Sequence, residues 1–235
     1  MNPRLIVFDL DGTLIDSEQD LADAVNATLA HLGRDPLPTA TIRGYIGDGA
    51  SALLRRALGD AHVEAGHEAA LDFFLTYYRA HKLDHTQLYP GVLSTLTALR
   101  DALPQTLMAV LTNKPVRPSR EICAGLGVAP FFFQIYGGES FPRKKPDPNG
   151  LLTLIHEASH ELQATGEPAL TSEQTVMVGD SPVDLSTARA AGTRSIGCTF
   201  GLNDPSAVRA AQPTAIAEQP SDWLAILAPA DALVP

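Results

Sequence analysis

Short apolar segments recur along the chain, and each of them runs directly into polar residues. Continuous apolar runs of this length are typical of parallel strands that are buried on both faces. On this pattern we predict strands over residues 5–8, 106–111, 131–136, 175–178 and 194–198. The polar residues after each run then lie at the carboxyl end of a strand.

Apolar residues at helical spacing occupy the segments between these strands. We predict core helices over residues 92–102, 119–126, 149–162 and 185–191. Strands that alternate with helices favour a right-handed parallel arrangement. The predicted fold class is therefore α/β, with a Rossmann-like parallel sheet core that carries helices on both faces.

A long segment after the first strand lacks a convincing strand pattern. Asp16 and Ser17 are predicted N-caps for the first helix of this segment. Helices are predicted over residues 18–31, 39–43, 51–58 and 64–81. We therefore predict an inserted all-helical cap domain at residues 16–85, with a Rossmann-like catalytic core formed by residues 1–15 and 86–235. An insertion at this point would lie over the carboxyl edge of the sheet.

Reactive polar side chains follow several of the predicted strands. They are Asp9 with Asp11, Thr112 with Asn113, Lys145, and Asp180 with Asp184. Acidic residues at a strand end also serve as helix N-caps, so one Asp-x-Asp pair would say little about catalysis. Open α/β sheets bind their ligands at the carboxyl ends of the strands. Four such clusters together therefore favour a single catalytic site.

The side chains of these clusters suit metal-assisted phosphoryl transfer. A phosphate monoester dianion repels an attacking carboxylate unless cations neutralise its oxygens. Mg²⁺ prefers oxygen ligands, which Asp9 and Asp180 supply, and Lys145 adds a fixed positive charge. Thr112 and the backbone N–H of Asn113 are placed to donate hydrogen bonds to the phosphoryl oxygens.

The two acids of the first cluster, Asp9 and Asp11, are predicted to have different functions in this reaction. We predict that Asp9 is the nucleophile and forms an aspartyl-phosphate. Asp11 would protonate the leaving alkoxide and then deprotonate the hydrolytic water. Together with Lys145, these two residues are the predicted catalytic residues.

The four clusters resemble, in the same order, the four motifs of the haloacid dehalogenase superfamily. The matching stretches are Asp9-Leu-Asp11-Gly12-Thr13-Leu14, Thr112-Asn113, Lys145-Pro146-x-Pro148 and Gly179-Asp180-Ser181-x-x-Asp184. The resemblance implies that Asp9 is the nucleophile and that Mg²⁺ binds Asp9, the Asp11 carbonyl and Asp180. Further site residues implied by it are Gly12 and Thr13 at the phosphate, and Asp184 and Ser181 around the metal.

The helical insertion directly after the first motif resembles the C1-capped subclass of this superfamily. Within that subclass, several stretches are similar to bacterial phosphoglycolate phosphatases, namely residues 45–50, 54–58, 88–92, 112–115, 136–138 and 144–148. This resemblance implies 2-phosphoglycolate as the substrate. Arg55 and Arg56 have two interpretations, a contact with the substrate carboxylate or an ordinary exposed helix face. Of the two, Arg55 is the predicted substrate-binding residue, and Lys145 rather than Lys144 is predicted to point into the site.

Composition limits the partners and the location. The chain has 235 residues and a formal net charge of −10, which argues against general binding to nucleic acid or to an anionic membrane. No apolar run approaches the about 20 residues of a membrane span, so we expect no transmembrane helix, and we also expect no signal peptide. Cys123 and Cys198 are expected to be buried apolar residues. We expect a cytoplasmic monomer or homodimer whose partner is a small phosphorylated metabolite.

The leading prediction is a Mg²⁺-dependent phosphatase that converts 2-phosphoglycolate into glycolate and phosphate. Two enzymatic alternatives use the same scaffold: a sugar-phosphate mutase, and a phosphatase for another small phosphate ester. A third alternative is a signalling receiver domain, which also pairs strand-end acids with a threonine and a lysine. Receiver domains are shorter, however, and they lack both the helical insertion and the Asp-x-Asp-Gly-Thr sequence.

Overall fold

The central feature of the fold is a parallel sheet that places β1 (Leu5–Phe8) between two other strands. The computed structural model describes residues 3–59 and 67–228. Within these ranges, β1 is joined in the sheet by β4 (Leu107–Leu111), β5 (Gln134–Tyr136), β6 (Thr175–Gly179), β7 (Arg194–Cys198) and β8 (Ala215–Ala217). The six strands lie in the order β5-β4-β1-β6-β7-β8, and every neighbouring pair is parallel. The predicted fold class is confirmed.

Both faces of β1 are buried, which explains its continuous apolar sequence. Leu5 and Val7 pack into one apolar cluster, and Ile6 and Phe8 pack into the other, because alternate side chains of a strand point to opposite faces. The helices that cover the sheet are α5 (Val92–Ala102), α6 (Val116–Gly125), α7 (Asn149–Ala164), α8 (Pro182–Ala190), α9 (Pro205–Ala210) and α10 (Asp222–Leu227). Helices therefore cover both faces of the sheet.

Two predicted helix starts were too late in the sequence. Helix α6 begins at Val116 instead of residue 119, and α8 begins at Pro182 instead of residue 185. In both cases a proline, Pro118 or Pro182, lies in the first turn of the helix. A proline is tolerated there because the N–H that it lacks has no partner within the helix.

A two-stranded antiparallel ribbon connects the sheet to the inserted helices. It consists of β2 (Ile15–Asp16) and β3 (Gln87–Leu88). The prediction of no strand from residue 16 onward was therefore wrong at Asp16, since two-residue strands are too short to show a periodic pattern. Ser17 is the N-cap residue of the next helix, but its side chain makes no capping hydrogen bond.

The inserted helices pack around an apolar cluster of their own. They are α1 (Glu18–His31), α2 (Thr39–Arg43), α3 (Ala50–Leu58) and α4 (His67–His81). Val25, Ile42, Leu54 and Phe74 are buried at the centre of this cluster. Residues 64–66 of the predicted last helix lie outside the described residues. The proposed cap boundaries at residues 16 and 85 stay a prediction.

Two further features of the described ranges bear on the sequence-based expectations. No helix there combines the length and the apolar character that crossing a bilayer requires. Cys123 and Cys198 are buried free thiols, as predicted.

Asp20 in the first turn of α1 forms hydrogen bonds with His85 and Thr86, where the chain returns from the insertion to the core. Its buried carboxylate accepts hydrogen bonds from the backbone N–H of His85 at 2.9 Å and from the N–H and hydroxyl of Thr86 at 2.8 and 2.7 Å. A buried carboxylate is tolerated when its oxygens are satisfied in this way. Asp20 therefore connects the segment where the chain leaves the core with the segment where it returns.

Replacing Asp20 tests this connection. Asp20→Ala leaves buried donors without an acceptor, so we expect the free energy of unfolding to fall by about 2–4 kcal/mol. Urea denaturation measures the loss. The matched control is Asp72→Ala on the exposed face of α4, with an expected change within about 0.5 kcal/mol. Equal effects of the two substitutions would contradict this connection.

Candidate active site

The polar residues predicted to share a site meet at the carboxyl edge of the sheet. Asp9 directly follows β1, Thr112 follows β4, and Asp180 follows β6. These three strands are neighbours with β1 in the middle, so their ends lie side by side. Lys145 reaches the same place from the loop after β5. The site therefore occupies the point where strand order reverses, as expected of this class of sheet.

Three buried carboxylates surround one lysine at the centre of the site. One oxygen from each of Asp9, Asp180 and Asp184 lies within 4.8 Å of the others. Lys145 Nζ donates a hydrogen bond of 2.6 Å to Asp184 Oδ1 and lies 2.8 Å from Asp9 Oδ1 as an ion pair without hydrogen-bond geometry. The charges do not balance: three acids face one ammonium in a region closed to solvent.

Burial and this surplus of negative charge shift the acid pKa values upward. Burial is the main cause for Asp9, whose pKa lies well above its usual range, and the charge of Asp184 adds to the shift while Lys145 opposes it. Burial, again with Asp184, raises the pKa of Asp180 to about 6. Burial lowers the pKa of Lys145, but Asp184 and Asp9 raise it by more, so the ammonium stays charged. An additional cation would stabilise the ionised acids.

Asp184 has two structural contacts that hold it in place. Its Oδ2 accepts hydrogen bonds from the N–H and hydroxyl of Ser181 at 3.1 and 2.8 Å, which forms a capping box at the start of α8. Its Oδ1 holds Lys145. Gly179 makes room for it, because a Cβ there would lie 2.3 Å from Asp184 Oδ2. Asp184 therefore lies beside Asp9 and Lys145 and is held by Ser181, while the function of both residues around a metal stays a prediction.

Asp180 presents one oxygen to the site and uses the other for anchoring. Its Oδ2 accepts hydrogen bonds from the backbone N–H groups of Leu202 and Asn203 at 2.8 and 3.1 Å. Its Oδ1 is buried and has no hydrogen-bond partner among the described residues. Gly12 packs against this carboxylate with φ +83°, and a Cβ there would lie 2.2 Å from Asp180 Oδ2. Glycine is therefore required at position 12.

These oxygens suit Mg²⁺. The donor set of Asp9 and Asp180 is made of oxygen, which a hard cation prefers, and Asp180 Oδ1 is a buried acceptor without a hydrogen-bond partner in residues 3–59 and 67–228. A divalent cation would also offset the surplus negative charge around Lys145. The residues present therefore fit the predicted cofactor.

Asp11 lies in a separate hydrogen-bond network. Ser17 Oγ donates to Asp11 Oδ1 at 2.6 Å, and Lys114 Nζ donates to Oδ1 and Oδ2 at 2.8 and 3.1 Å. The side chain of Lys114 is only 3% exposed. Neither partner was predicted: Ser17 was expected to cap a helix, and Lys114 was given no function. The one sequence signal that could have drawn attention to Lys114 is its position directly after Thr112-Asn113, and nothing local indicates its contact with Asp11.

The second predicted cluster, Thr112 and Asn113, lines the cavity beside Asp9 and also contacts the insertion. Asn113 Nδ2 donates to the carbonyls of Gly47 in the insertion and Lys145 in the core, both at 3.1 Å. Thr112 Oγ1 accepts a hydrogen bond from the Lys114 N–H at 3.2 Å. The buried Thr13 Oγ1 has no partner among the described residues, which leaves it available to a ligand.

The cap-side residues are distributed differently from the core motifs. Arg55 is exposed on α3 and does not line the cavity beside Asp9, so its substrate contact stays a prediction. Arg56 is also exposed and forms an ion pair with Asp48. Lys144 is exposed and donates to the Asp48 carbonyl, whereas Lys145 is buried, as predicted.

A small cavity lies between the inserted helices and the strand ends. Space for water-sized molecules amounts to about 40 Å³. Asp9, Asp11, Asn113 and Lys114 form its polar floor. Its cap-side wall is mostly apolar and includes Leu21, Ile46, Leu53, Phe74, Leu75 and Tyr78. The site therefore suits a small ligand with a polar end toward the core and an apolar end toward the insertion.

Family comparison agrees with this geometry. Residues 6–198 match the model of the haloacid dehalogenase-like hydrolases, so the chain belongs to this family. The chain is 40% identical to a phosphoglycolate phosphatase of Pseudomonas putida over 91% of this chain and 76% of that protein. It is 38% identical to a phosphoglycolate phosphatase of Vibrio cholerae over 92% of each chain.

Solved structures show the same fold. The crystal structure of a predicted phosphoglycolate phosphatase from Haemophilus somnus superposes with a TM-score of 0.85 and 30% identity, covering 96% of this chain and 98% of that one. A haloacid dehalogenase-like hydrolase from Streptococcus pneumoniae gives a TM-score of 0.78 at 28% identity, covering 95% and 98%. The predicted resemblance to this superfamily is confirmed.

Mg²⁺ is expected to stabilise the protein through Asp180. A ligand that binds only the folded state at a hundredfold excess over its Kd adds about 2.7 kcal/mol, which thermal denaturation detects as a higher Tm. Asp180→Asn should lose most of this response, because it removes a charged ligand. The exposed Asp101→Asn should respond as the native protein does. A full Mg²⁺ response in Asp180→Asn would contradict the assignment.

The Mg²⁺ response should also weaken at low pH. Because burial raises the pKa of both Asp9 and Asp180, these groups hold protons as the pH falls toward 6, and Mg²⁺ must displace those protons to bind. We therefore expect a higher Kd for Mg²⁺ at pH 6 than at pH 8, measured by isothermal titration calorimetry. Equal affinities at the two pH values would show that no proton is displaced.

Proposed function

We propose that this protein is a Mg²⁺-dependent phosphatase that hydrolyses a small phosphate monoester, with 2-phosphoglycolate as the leading substrate. The observation that carries the proposal is the placement of Asp9. Its carboxylate lies at the end of the central strand, beside Lys145 and Asp180 and on the same cavity as Asp11. The names of the relatives from Pseudomonas putida and Vibrio cholerae support the choice of substrate.

The first half of the reaction forms a covalent intermediate. An oxygen of Asp9 attacks phosphorus, and the bond between phosphorus and the leaving oxygen breaks. Asp11 gives a proton to that oxygen, so glycolate leaves as a neutral alcohol at its hydroxyl. Lys145 holds Asp9 in place and offsets charge that builds up near the phosphoryl group.

The second half regenerates the protein. A water molecule attacks the aspartyl-phosphate at phosphorus while Asp11 accepts a proton from it. The bond between phosphorus and Asp9 breaks, which releases inorganic phosphate and restores the carboxylate. When bound by Asp9, the Asp11 carbonyl and Asp180, Mg²⁺ supplies positive charge for the phosphoryl oxygens. In this proposal the hydroxyls of Thr13 and Thr112 and the backbone N–H of Asn113 donate hydrogen bonds to the same oxygens.

The cavity favours a phosphatase for a small ester over a sugar-phosphate mutase. A sugar needs many hydrogen-bond partners, whereas the cap-side wall here is mostly apolar. Family membership likewise favours a hydrolase over a receiver domain. The cytoplasmic location, the monomer or homodimer, and the absence of nucleic-acid and membrane partners stay predictions.

Removing the nucleophile tests the mechanism. Asp9→Asn is expected to lower phosphate release from 2-phosphoglycolate by at least about 1,000-fold, because the amide cannot form the intermediate. EDTA should stop the native protein, and added Mg²⁺ should restore it. Phosphate release is measured with a colorimetric assay.

The exposed Asp101→Asn serves as the control and should retain full activity. Circular dichroism checks that Asp9→Asn remains folded. Undiminished turnover by a folded Asp9→Asn protein would disprove the proposed mechanism. Turnover of another phosphate ester but not of 2-phosphoglycolate would instead correct the substrate.

A further inference from the structure

Two polar side chains from opposite sides of the cavity meet next to Asp11. Tyr78 belongs to α4 of the insertion, and Lys114 follows strand β4 of the core. Lys114 Nζ lies 4.6 Å from the centre of the Tyr78 ring. The two residues are 2% and 5% exposed, and both line the cavity that contains Asp9 and Asp11. No predicted function accounts for either residue.

The Tyr78 hydroxyl is a buried donor that lacks an acceptor. Within the described part of the chain, it has no hydrogen-bond partner. Leaving a buried hydroxyl unpaired is costly, and such groups in proteins are almost always satisfied. Burial raises the pKa of Tyr78 to about 12, so the hydroxyl keeps its proton. A ligand in the cavity with an acceptor oxygen would satisfy it.

Lys114 brings positive charge to the same place. Among the described residues that line this cavity, it is the sole cation. Its ammonium has three N–H donors and contacts the two oxygens of one carboxylate, Asp11. Lys145, by contrast, is engaged with Asp9 and Asp184 on the phosphate side. Lys114 is therefore the cation positioned to bind a second anionic group of a substrate.

We propose that Lys114 and Tyr78 form a subsite that binds the carboxylate of the leaving group and so selects phosphorylated 2-hydroxy acids. This inference rests on the proposed phosphatase function. In that function Asp11 protonates the leaving oxygen, and Lys114 Nζ lies 2.8 Å from Asp11 Oδ1. Three contacts of about 2.8 Å connect the leaving oxygen to Asp11, Asp11 to Lys114 and Lys114 to the carboxylate, so the carboxylate lies within about 8 Å of the leaving oxygen. The two-carbon skeleton of glycolate meets that limit.

The competing explanation is that Lys114 acts only through Asp11. In that case it orients the acid/base residue for every substrate alike, and the leaving group has no carboxylate contact. A comparison of two substrates separates the explanations. One is 2-phosphoglycolate, and the other is ethyl phosphate, which has the same two-carbon skeleton without the carboxylate.

The experiment measures kcat and KM for both esters with Mg²⁺ present. The variants are Lys114→Met and Tyr78→Phe. The control for charge is Arg117→Met, which removes an exposed cation of an adjoining groove that shares Tyr78 and Asn113 with the cavity. The control for the hydroxyl is Tyr77→Phe, the neighbouring tyrosine on the same helix, which stacks on His81.

The native protein is expected to prefer 2-phosphoglycolate over ethyl phosphate in kcat/KM. Lys114→Met should reduce that preference about 10- to 100-fold, chiefly by raising KM for 2-phosphoglycolate. Tyr78→Phe should reduce it about 3- to 10-fold, since it removes one neutral hydrogen bond. Arg117→Met and Tyr77→Phe should leave the preference within about twofold of native.

An unchanged preference in both Lys114→Met and Tyr78→Phe would overturn the proposal, even if both rates fell, because equal losses indicate an effect through Asp11. Tyr78→Phe keeps the ring and its packing, so it decides the question if Lys114→Met does not fold. If the proposed phosphatase function itself is wrong, the result is different, because the native protein then releases phosphate from neither ester.

Discussion

The whole arrangement depends on keeping three carboxylates buried beside one ammonium. Asp9, Asp180 and Asp184 approach within 4.8 Å of one another, and each is less than 10% exposed. Burying ions costs several kcal/mol each unless opposite charges are close. Lys145 offsets part of that cost, and the remaining negative charge defines a site for a cation. The apolar side chains of the central strand β1 are fully buried, and their packing stabilises the fold that carries these buried charges.

The insertion and the charged centre are mechanically connected. Arg43 of α2 donates to the carbonyls of Gly201 and Leu202 at 2.8 and 2.9 Å, and the backbone N–H of Leu202 in turn holds Asp180. Asn113 makes a second connection through Gly47. The insertion therefore lies over the core with apolar side chains above the acids, which keeps water away from them. The same packing places Tyr78 next to Lys114.

The core of the site was predictable because each of its residues directly follows an apolar strand. Asp9 and Asp180 stand at the ends of runs whose burial is evident from composition alone, and parallel strands bring such ends together. The contact of Lys114 with Asp11 joins residues 103 positions apart, and no local pattern reports such a pairing. Tyr78 lies within an ordinary amphipathic helix, where an aromatic residue is expected to pack. The two-residue strands β2 and β3 carry no periodicity at all.

The most direct test of the account is to trap the phosphoryl group on the protein. The native protein is mixed with 2-phosphoglycolate and Mg²⁺, quenched in acid within the first turnover, digested, and analysed by mass spectrometry. We expect a phosphorylated peptide whose modification maps to Asp9, because Asp9 is the buried carboxylate beside both Lys145 and the proposed cation. Phosphate on a different residue, or a burst of free phosphate with no labelled peptide, would contradict the account.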